Sequence, residues 1–180
     1  MVWKPSVTVA AIVRDGARFL LVEEHTPEGL RLNNPAGHLE QGESPLQAVV
    51  RETLEETARP FTPQAFAGCY LSRFQRPILH DVNAVENLKY TGELAGTTSS
   101  IEDITYLRLA FSGTVGDELP GRGYDREIVR TLWLTLDELR ASQARHRSPL
   151  VLRCVEDVAA GRGYPLDAVY TSASVYAAAA

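Results

Sequence analysis

The amino-acid sequence predicts a domain of the mixed α/β class, built from one sheet and several helices. Apolar runs rich in β-branched residues alternate with segments that begin on helix-capping residues. The 180 residues can bury one sizeable core, and no internal repeat or second apolar core is evident. The composition, 44% hydrophobic and 23% charged, excludes wholesale disorder or a coiled coil. We therefore expect residues 1–180 to form a single domain.

Five strands are predicted from apolar and β-branched runs. The first two form a hairpin at Asp15-Gly16, because Asp-Gly between apolar runs is a common two-residue turn. Residues 25–37 are broken by proline, glycine and asparagine, and we interpret them as a loop. The polar stretch 79–102 is interpreted as an insertion loop. The predicted strands are 6–13, 18–22, 66–74, 104–115 and 130–134.

The clearest helix is predicted to begin after Ser44. Pro45 suits the first helical position, and Gln47, three residues after Ser44, completes a capping box. The helix should run to about residue 57. A left-handed Ala58 would cost about 1 kcal/mol, so we expect Pro60 to end the helix instead.

Two further helices are predicted nearer the C-terminus. One begins after Thr135, with Glu138 completing a second capping box, and the other opens at Ser148-Pro149 and closes at Gly161 after about twelve residues. The tail from about residue 168 has no assignable role.

Charge and cysteine content restrict the classes of partner and the compartment. A net charge of -5 opposes wrapping of nucleic acid or binding to an anionic membrane. No apolar run approaches the length of a membrane span, and the first residues lack the features of a secretion signal, so we expect a cytoplasmic protein. Cys69 and Cys154 lie in apolar surroundings, and we expect both to be inert buried thiols.

Three carboxylates are the main chemical feature of the first helix. Glu52, Glu55 and Glu56 are three and four residues apart, so their side chains share one face of the helix. Oxygen ligands without cysteine or histidine favour Mg²⁺ or Mn²⁺, and magnesium commonly completes its shell with phosphate oxygens. The alternative is a solvated acidic face. Arg51 and Glu43 are placed to pair and to orient these carboxylates.

The surrounding pattern resembles the Nudix box, G-x5-E-x7-R-E-U-x-E-E-x-G-U, in which U is apolar. The chain departs from it at Thr53, Ala58 and Arg59, none of which is a metal ligand in the pattern. Short segments outside the box are similar to those of a bacterial phosphatase of the same superfamily. The residues that fill the six invariant Gly, Glu and Arg positions are Gly37, Glu43, Arg51, Glu52, Glu55 and Glu56.

The resemblance to the Nudix superfamily implies a mixed sheet sandwiched between α-helices (α/β/α). It also implies Mg²⁺-dependent hydrolysis of nucleoside diphosphates and triphosphates, or of hydroxymethylpyrimidine diphosphate. The metal ligands implied are the Gly37 carbonyl and the carboxylates of Glu52, Glu55 and Glu56, with Mn²⁺ as an alternative ion.

The general base is predicted among several carboxylates. Glu56 or Glu52 can serve, and the family often uses a further glutamate from a loop before the last strand. Glu127 fits that description best, with Asp125 and Glu118 in reserve. A loop carboxylate paired with Arg126 or Arg130 is the alternative for Glu127.

Substrate contacts are expected from two arginines and two further polar residues. Arg108 lies in an apolar strand, where it should meet either a protein carboxylate or a substrate phosphate. Arg147 precedes a helix whose free N–H groups can also bind an anion. His38 and Asn33 are expected beside the site, although a surface position explains His38 and turn chemistry explains Asn33. Weaker predictions concern Asn34 and Tyr70, which turn chemistry and core packing also explain.

Two other functions are compatible with the sequence. One is hydrolysis at the 5' end of RNA, which the lack of a basic, aromatic-rich surface disfavours. The other is a nucleotide-sensing module without catalysis, which the intact carboxylates disfavour. We expect small-molecule polyphosphate substrates, no nucleic-acid or membrane partner, and a monomer or homodimer.

Overall fold

Seven strands form one mixed sheet in a computed structural model that describes residues 3–80 and 98–176. The strands are β1 Ser6–Asp15, β2 Arg18–Thr26, β3 Gly29–Asn33, β4 Ala36–His38, β5 Phe61–His80, β6 Thr98–Val115 and β7 Ile128–Thr135. The α-helices are α1 Pro45–Thr57, α2 Leu136–Ala141 and α3 Leu150–Ala159. Short 3-10 helices cover Gln143–Arg145, Leu166–Ala168 and Ala173–Tyr176.

The strand β1 is the centre of the sheet. It pairs in parallel with β6, and the remaining strand pairs are antiparallel. The order is β3-β2-β1-β6-β5, with β4 beside β1 and β7 beside β2. The short strand β4 therefore lies against the β1 segment that also contacts β6, and this places the loop before α1 next to the middle of the sheet.

Helices cover both faces of the sheet, because the side chains of β1 alternate between them. Val9, Ala11 and Val13 belong to an apolar cluster with Ala48 and Val49 of α1. On the opposite face, Ala10 and Ile12 pack in a cluster with α3 residues such as Val151 and Cys154. The predicted mixed α/β class is confirmed.

The prediction of a loop over residues 25–37 is wrong, since β3 lies within it and β4 begins there. The strand β3 pairs with β2 across a tight turn, in which Gly29 has a left-handed φ of 99°. The three residues of β4 are held by pairing with Thr8, Val9 and Ala10. These short strands depend on their partners more than on their own propensity, so composition gave no signal for them.

The predicted boundaries of the 79–102 loop are also wrong. Antiparallel pairing of β5 with β6 continues from Phe61 and Val115 to His80 and Thr98, so both ends of the predicted loop are strand. Residues 81–97 lie outside the described part of the chain.

The helix α1 begins as predicted but ends differently. The Ser44 side chain accepts from the Gln47 N–H at 3.1 Å, and the Gln47 side chain accepts from the Ser44 N–H at 2.9 Å. At the other end, Ala58 adopts the left-handed conformation with φ 53°, so the prediction against it is wrong. Its methyl group is fully buried, and that burial of about 0.8 kcal/mol offsets most of the strain. The Ala58 carbonyl also accepts from the Leu119 N–H at 2.8 Å.

The C-terminal helices follow the sequence signals closely. The Thr135 capping box opens α2, and α3 begins after Pro149 and ends at Ala159, with Ala160 as its cap and left-handed Gly161 next. Cys154 is buried as predicted, but Cys69 is exposed, because the adjacent Tyr70 packs on the α3 side and successive side chains of a strand point to opposite faces. None of the described helices is long and apolar enough to cross a membrane.

Candidate active site

The helix α1 presents its acidic face to the segment 36–38 of β4. Glu52 and Glu56 are buried, with 9% and 8% of their surface exposed, and Glu55 is half-buried. Burial sets this face apart from a solvated acidic surface, because buried carboxylates are rare unless they are bonded or functional.

Arg51 connects the carboxylates to one another. Its Nη1 donates to Glu52 Oε1 at 2.8 Å and to Glu55 Oε2 at 3.0 Å. Its Nε and Nη2 donate to the two oxygens of Glu43 at 3.1 and 2.7 Å, and Nη2 also donates to the His38 carbonyl at 3.0 Å. These bonds lower the pKa of Glu43 and raise that of Arg51, chiefly through the Glu43–Arg51 hydrogen bonds. Arg51 is therefore a fixed cation that orients Glu52 and Glu55.

Glu56 is held by the backbone of β4. Its Oε2 accepts from the Ala36 N–H at 2.8 Å. Burial raises the pKa of Glu56 well above the usual range, the Ala36 hydrogen bond opposes the rise, and the charges of Glu24 and Glu52 add to it. The carboxyl is thus fixed in position, and its second oxygen is not engaged by this backbone contact.

Position 37 requires glycine because the backbone there passes close to the Glu52 carboxylate. A Cβ atom at this position would lie 2.1 Å from the Glu52 Cδ, which no side chain can tolerate without displacing the carboxylate. Burial also raises the pKa of Glu52, and the hydrogen bond from Arg51 partly offsets the rise. The lack of a side chain at Gly37 therefore leaves room for the buried Glu52 carboxylate against the backbone of β4.

The donor set fits a hard divalent cation. Three glutamates and a backbone carbonyl are the oxygen ligands that Mg²⁺ and Mn²⁺ prefer. Within residues 3–80 and 98–176, no three His, Cys, Asp or Glu side chains converge as a preformed metal site. Arg51 holds one oxygen of Glu52 and one of Glu55, and Ala36 holds one of Glu56. A cation would therefore have to use oxygens that these bonds leave free.

A loop before β7 brings two more carboxylates to the site. The Asp125 N–H donates to the Glu55 carbonyl at 3.0 Å, and the Glu127 carbonyl accepts from the His25 N–H at 2.8 Å. Burial, followed by the charges of Glu55 and Glu127, raises the pKa of Asp125. Arg130, a suggested partner of Glu127, instead donates to Glu23 at 2.7 Å.

Glu118, the second reserve base, is engaged elsewhere. Its carboxylate accepts from the Tyr124 hydroxyl at 2.9 Å and from Arg59 at 3.2 Å. These contacts fix the loop after β6 to the end of α1, so Glu118 is the weakest of the candidate bases.

Arg108 and Asn33 lie together under the site. Arg108 is 7% exposed, and its Nη atoms donate to the side-chain oxygens of Asn33 at 3.4 Å and Asn34 at 3.5 Å. Burial lowers the pKa of Arg108, and Cys154, followed by the charges of Glu24 and Glu56, opposes this. Arg108 thus contacts two amide oxygens and the Cys154 side chain.

Sequence reasoning missed Glu24 as a site residue. It is 9% exposed on β2, and its Oε2 accepts from Arg147 at 3.4 Å. Burial raises the pKa of Glu24, while Arg147, Asn33 and Arg108 partly offset the rise. The signal that could have revealed it is a pair of acidic residues, Glu23 and Glu24, continuing an apolar strand.

Of the other predicted substrate contacts, His38 lies at the edge of the site and Tyr70 lies outside it. The His38 ring is exposed and packs near Tyr106 with ring centroids 6.2 Å apart. Tyr70 instead lines a cleft of about 560 Å³ between β5 and α3, and its hydroxyl donates to Asp157 at 3.1 Å. That cleft is separate from the carboxylates of α1. Asp157 also pairs with the two arginines that line the cleft, Arg153 and Arg162.

Comparison with known proteins decides the family. Residues 4–154 match the NUDIX domain family. The chain belongs to the Nudix family. Phosphatase NudJ of Escherichia coli (strain K12) is 31% identical over 168 residues, which cover 93% of this chain and 92% of NudJ. A solved NUDIX hydrolase from Nitrosomonas europaea is 44% identical with a TM-score of 0.72, and the alignment covers 94% of this chain and 98% of that one.

More distant solved structures share the fold alone. A UDP-X diphosphatase structure has a TM-score of 0.57 at 17% identity, over 91% of this chain and 67% of that one. The predicted superfamily and its α/β fold are therefore confirmed. As a Nudix hydrolase, the chain is a phosphohydrolase that acts on phosphoric anhydrides in small-molecule substrates.

Proposed function

We propose that this Nudix hydrolase cleaves small nucleoside diphosphates or triphosphates, or hydroxymethylpyrimidine diphosphate, with Mg²⁺ or Mn²⁺ as cofactor. The observation that carries the proposal is the ordered carboxylate face of α1. Arg51 fixes Glu52 and Glu55, the β4 backbone fixes Glu56, and Gly37 gives Glu52 its space. Enzymes of this family generally use divalent metal ions.

The residues that would hold the metal are Glu52, Glu55 and Glu56, with the Gly37 carbonyl beside them. When bound, such an ion supplies charge neutralisation at the phosphoryl oxygens and a lower pKa for a coordinated water. Arg51 keeps two of the carboxylates in place by its charge and hydrogen bonds.

A carboxylate of this group takes the proton from the attacking water. Glu56 is suited to this role because burial raises its pKa and one oxygen is free of the Ala36 contact. Glu52 and Glu127 are the alternatives. Arg108, Arg147, Asn33 and His38 are proposed to contact the substrate, where the guanidinium groups offset phosphate charge.

The activity is tested with a panel that contains nucleoside diphosphates, nucleoside triphosphates, hydroxymethylpyrimidine diphosphate and 5'-triphosphorylated RNA, each assayed with Mg²⁺ and with Mn²⁺. We expect turnover of one of the small substrates. Glu56→Gln should lower kcat at least about a hundredfold, since it removes both a metal ligand and a base. Release of phosphate and of pyrophosphate is measured separately.

Glu156→Gln is the matched control, because it makes the same change on α3, where Glu156 pairs with the exposed Arg140. It should retain wild-type kcat. Turnover of RNA alone, or full activity of Glu56→Gln, would overturn the proposal.

A further inference from the structure

A cleft between β5 and α3 lies away from the carboxylates of α1 and has no part in the proposed reaction. Its volume of about 560 Å³ is in the range of sites that bind small molecules. We call it the β5–α3 cleft. The side chains that line it include Tyr70, Arg153, Asp157, Arg162 and Tyr164.

Asp157 holds the polar side of the cleft together. Its buried carboxylate accepts from the Tyr70 hydroxyl at 3.1 Å and from Arg153 Nε at 3.0 Å. Arg162 Nη1 lies 3.0 Å from the other carboxylate oxygen, and the Arg162 backbone N–H donates to the Asp157 carbonyl at 2.9 Å. The two guanidinium groups are therefore held side by side at one carboxylate.

Gly68 makes the contact between Tyr70 and Asp157 possible. A Cβ atom at position 68 would lie 3.1 Å from the Tyr70 hydroxyl oxygen and would crowd it. Burial raises the pKa of Tyr70, so its hydroxyl stays protonated and donates to the carboxylate. The position of the arginines thus depends on an ordered set of contacts that begins at the backbone of β5.

The two arginines remain available to a ligand. More than half of each side chain is exposed, 56% for Arg153 and 57% for Arg162. Their contacts with Asp157 involve Nε of the first and Nη1 of the second, and the other guanidinium nitrogens can donate to a further acceptor. Among the described residues that line the cleft, Asp157 is the one carboxylate, so it neutralises one of two positive charges.

An anion with several acceptor oxygens suits this arrangement. Two neighbouring guanidinium groups repel each other, and an anion that accepts from both relieves the repulsion. The phosphate of a monoester has three terminal oxygens and a charge of about -1.5 to -2 near neutral pH. It can therefore bind both arginines, whereas a carboxylate has two oxygens and a single charge.

An aromatic wall adjoins the arginines. Tyr164 is 55% exposed, and the centroid of its ring lies 6.4 Å from that of the Phe66 ring. Both residues line the cleft, and aromatic rings pack favourably against one another. A ligand that joins a phosphate to a planar ring uses both parts of this lining.

We propose that the β5–α3 cleft is a second ligand site, which binds an organic phosphate monoester with a planar ring. Arg153 and Arg162 bind its phosphate, and Tyr164 packs against its ring. Water attack on an organic diphosphate gives inorganic phosphate and a phosphate monoester, so a hydrolase of phosphoric anhydrides releases compounds of this class. Binding needs neither metal nor catalysis, so the inference stands independently of the proposed function.

The test is an NMR titration of isotope-labelled protein, in EDTA, with phenyl phosphate, inorganic phosphate and benzoate. We expect phenyl phosphate to shift the amide signals of residues 67–71 and 162–164 and to leave those of 36–38 unchanged. It should bind roughly fivefold more tightly than inorganic phosphate, because the ring adds apolar contact. Benzoate should bind about tenfold more weakly than phenyl phosphate, because it offers fewer oxygens and less charge.

Arg162→Gln tests the contact with phosphate. It should weaken binding of phenyl phosphate and of inorganic phosphate at least about tenfold, because a charged hydrogen-bond donor is lost. Arg140→Gln is the matched control, since Arg140 is also a half-exposed arginine that pairs with carboxylates, and it should keep both affinities. Circular dichroism checks that the variants are folded.

Tyr164→Ala tests the contact with the ring and keeps the backbone pairing with Phe66. It should weaken phenyl phosphate at least about threefold and leave inorganic phosphate unchanged, because only the apolar contact is lost. Tyr170→Ala, which removes an exposed tyrosine outside the cleft, should change neither affinity.

Four results would overturn the inference. They are shifts confined to residues 36–38, equal binding of benzoate and phenyl phosphate, unchanged affinities in Arg162→Gln, and binding of no probe at millimolar concentration. If no substrate is hydrolysed but phenyl phosphate binds the cleft through Arg162, the proposed function fails while the second site stands.

Discussion

Arg51 is the residue on which the geometry of the proposed metal-binding carboxylates of α1 depends most directly. A planar guanidinium can bind Glu43 through two nitrogens and still reach Glu52, Glu55 and the His38 carbonyl. An ammonium group has three donors on a single atom and cannot span these acceptors. Arg51→Lys should therefore lower kcat, or the apparent affinity for Mg²⁺, by roughly 10- to 100-fold while the protein stays folded.

The measurement is a Mg²⁺ titration of activity for Arg51→Lys beside Arg140→Lys. Arg140 lies on the exposed side of α2 and pairs with Asp137 and Glu156 at the surface, where the same exchange should have little effect. Similar Mg²⁺ profiles for the two variants would show that the charge of Arg51, and not its fork of donors, is what the site needs.

Residues of the site were predictable from sequence where they share one short segment. Gly37, Glu52 and Glu56 lie within one spacing pattern, so helix periodicity and the family resemblance place them together. Glu24 comes from a different strand, and only the packing of β2 beside the β3–β4 turn brings it near Glu56. No local pattern encodes that proximity, which is why sequence reasoning did not find it.

At the scale of elements, the start of α1 is set by its cap. The Ser44 side chain satisfies the Gln47 N–H, which has no partner within the helix. Ser44→Ala should lower the free energy of unfolding by about 1 kcal/mol, or the melting temperature by roughly 2–4 °C. Ser44→Thr keeps the oxygen and should recover most of the loss in thermal or urea unfolding. Equal losses in the two variants would show that the hydroxyl cap contributes little.

Elements with local signals were predicted, and elements held by distant partners were not. The capping boxes of α1 and α2 lie within four residues, so the sequence alone specifies where these helices begin. The strand β4 has three residues and exists because β1 pairs with it. The left-handed Ala58 likewise depends on burial of its methyl group and on Leu119, which lies far along the chain.

At the scale of the whole molecule, the position of charge matters more than its sum. A net charge of -5 opposes binding of long polyanions, yet several of the carboxylates that contribute to it lie together around Glu56. Arg51 is embedded among these carboxylates, and Arg108 and Arg147 lie on the side of Glu24. A small polyphosphate that arrives with its divalent cation meets both signs of charge there, so the overall acidity does not exclude it.

The segment after α3 runs around the edge strand β5, from the α3 side of the sheet to the α1 side. Tyr164 and Phe66 exchange both backbone hydrogen bonds at this edge, at 2.8 and 2.9 Å. Beyond this point, Leu166 and Val169 pack on the apolar cluster between the sheet and α1. The tail therefore passes from the α3 side to the α1 side and covers part of an edge strand that would otherwise be open to association.

Leu166 and Val169 anchor the tail to this cluster, and removing their side chains should destabilise the whole fold. In the double variant Leu166→Ala, Val169→Ala, we expect the free energy of unfolding to fall by roughly 2–3 kcal/mol, because each half-buried side chain loses about half of the burial term of a core residue. Urea unfolding measures the change, with Asp167→Ala as the control. Asp167 lies between the anchors and is exposed, so its replacement should change stability by less than about 0.5 kcal/mol. If the double variant is as stable as this control, the tail does not contribute to the core, and the link between the two layers is incidental.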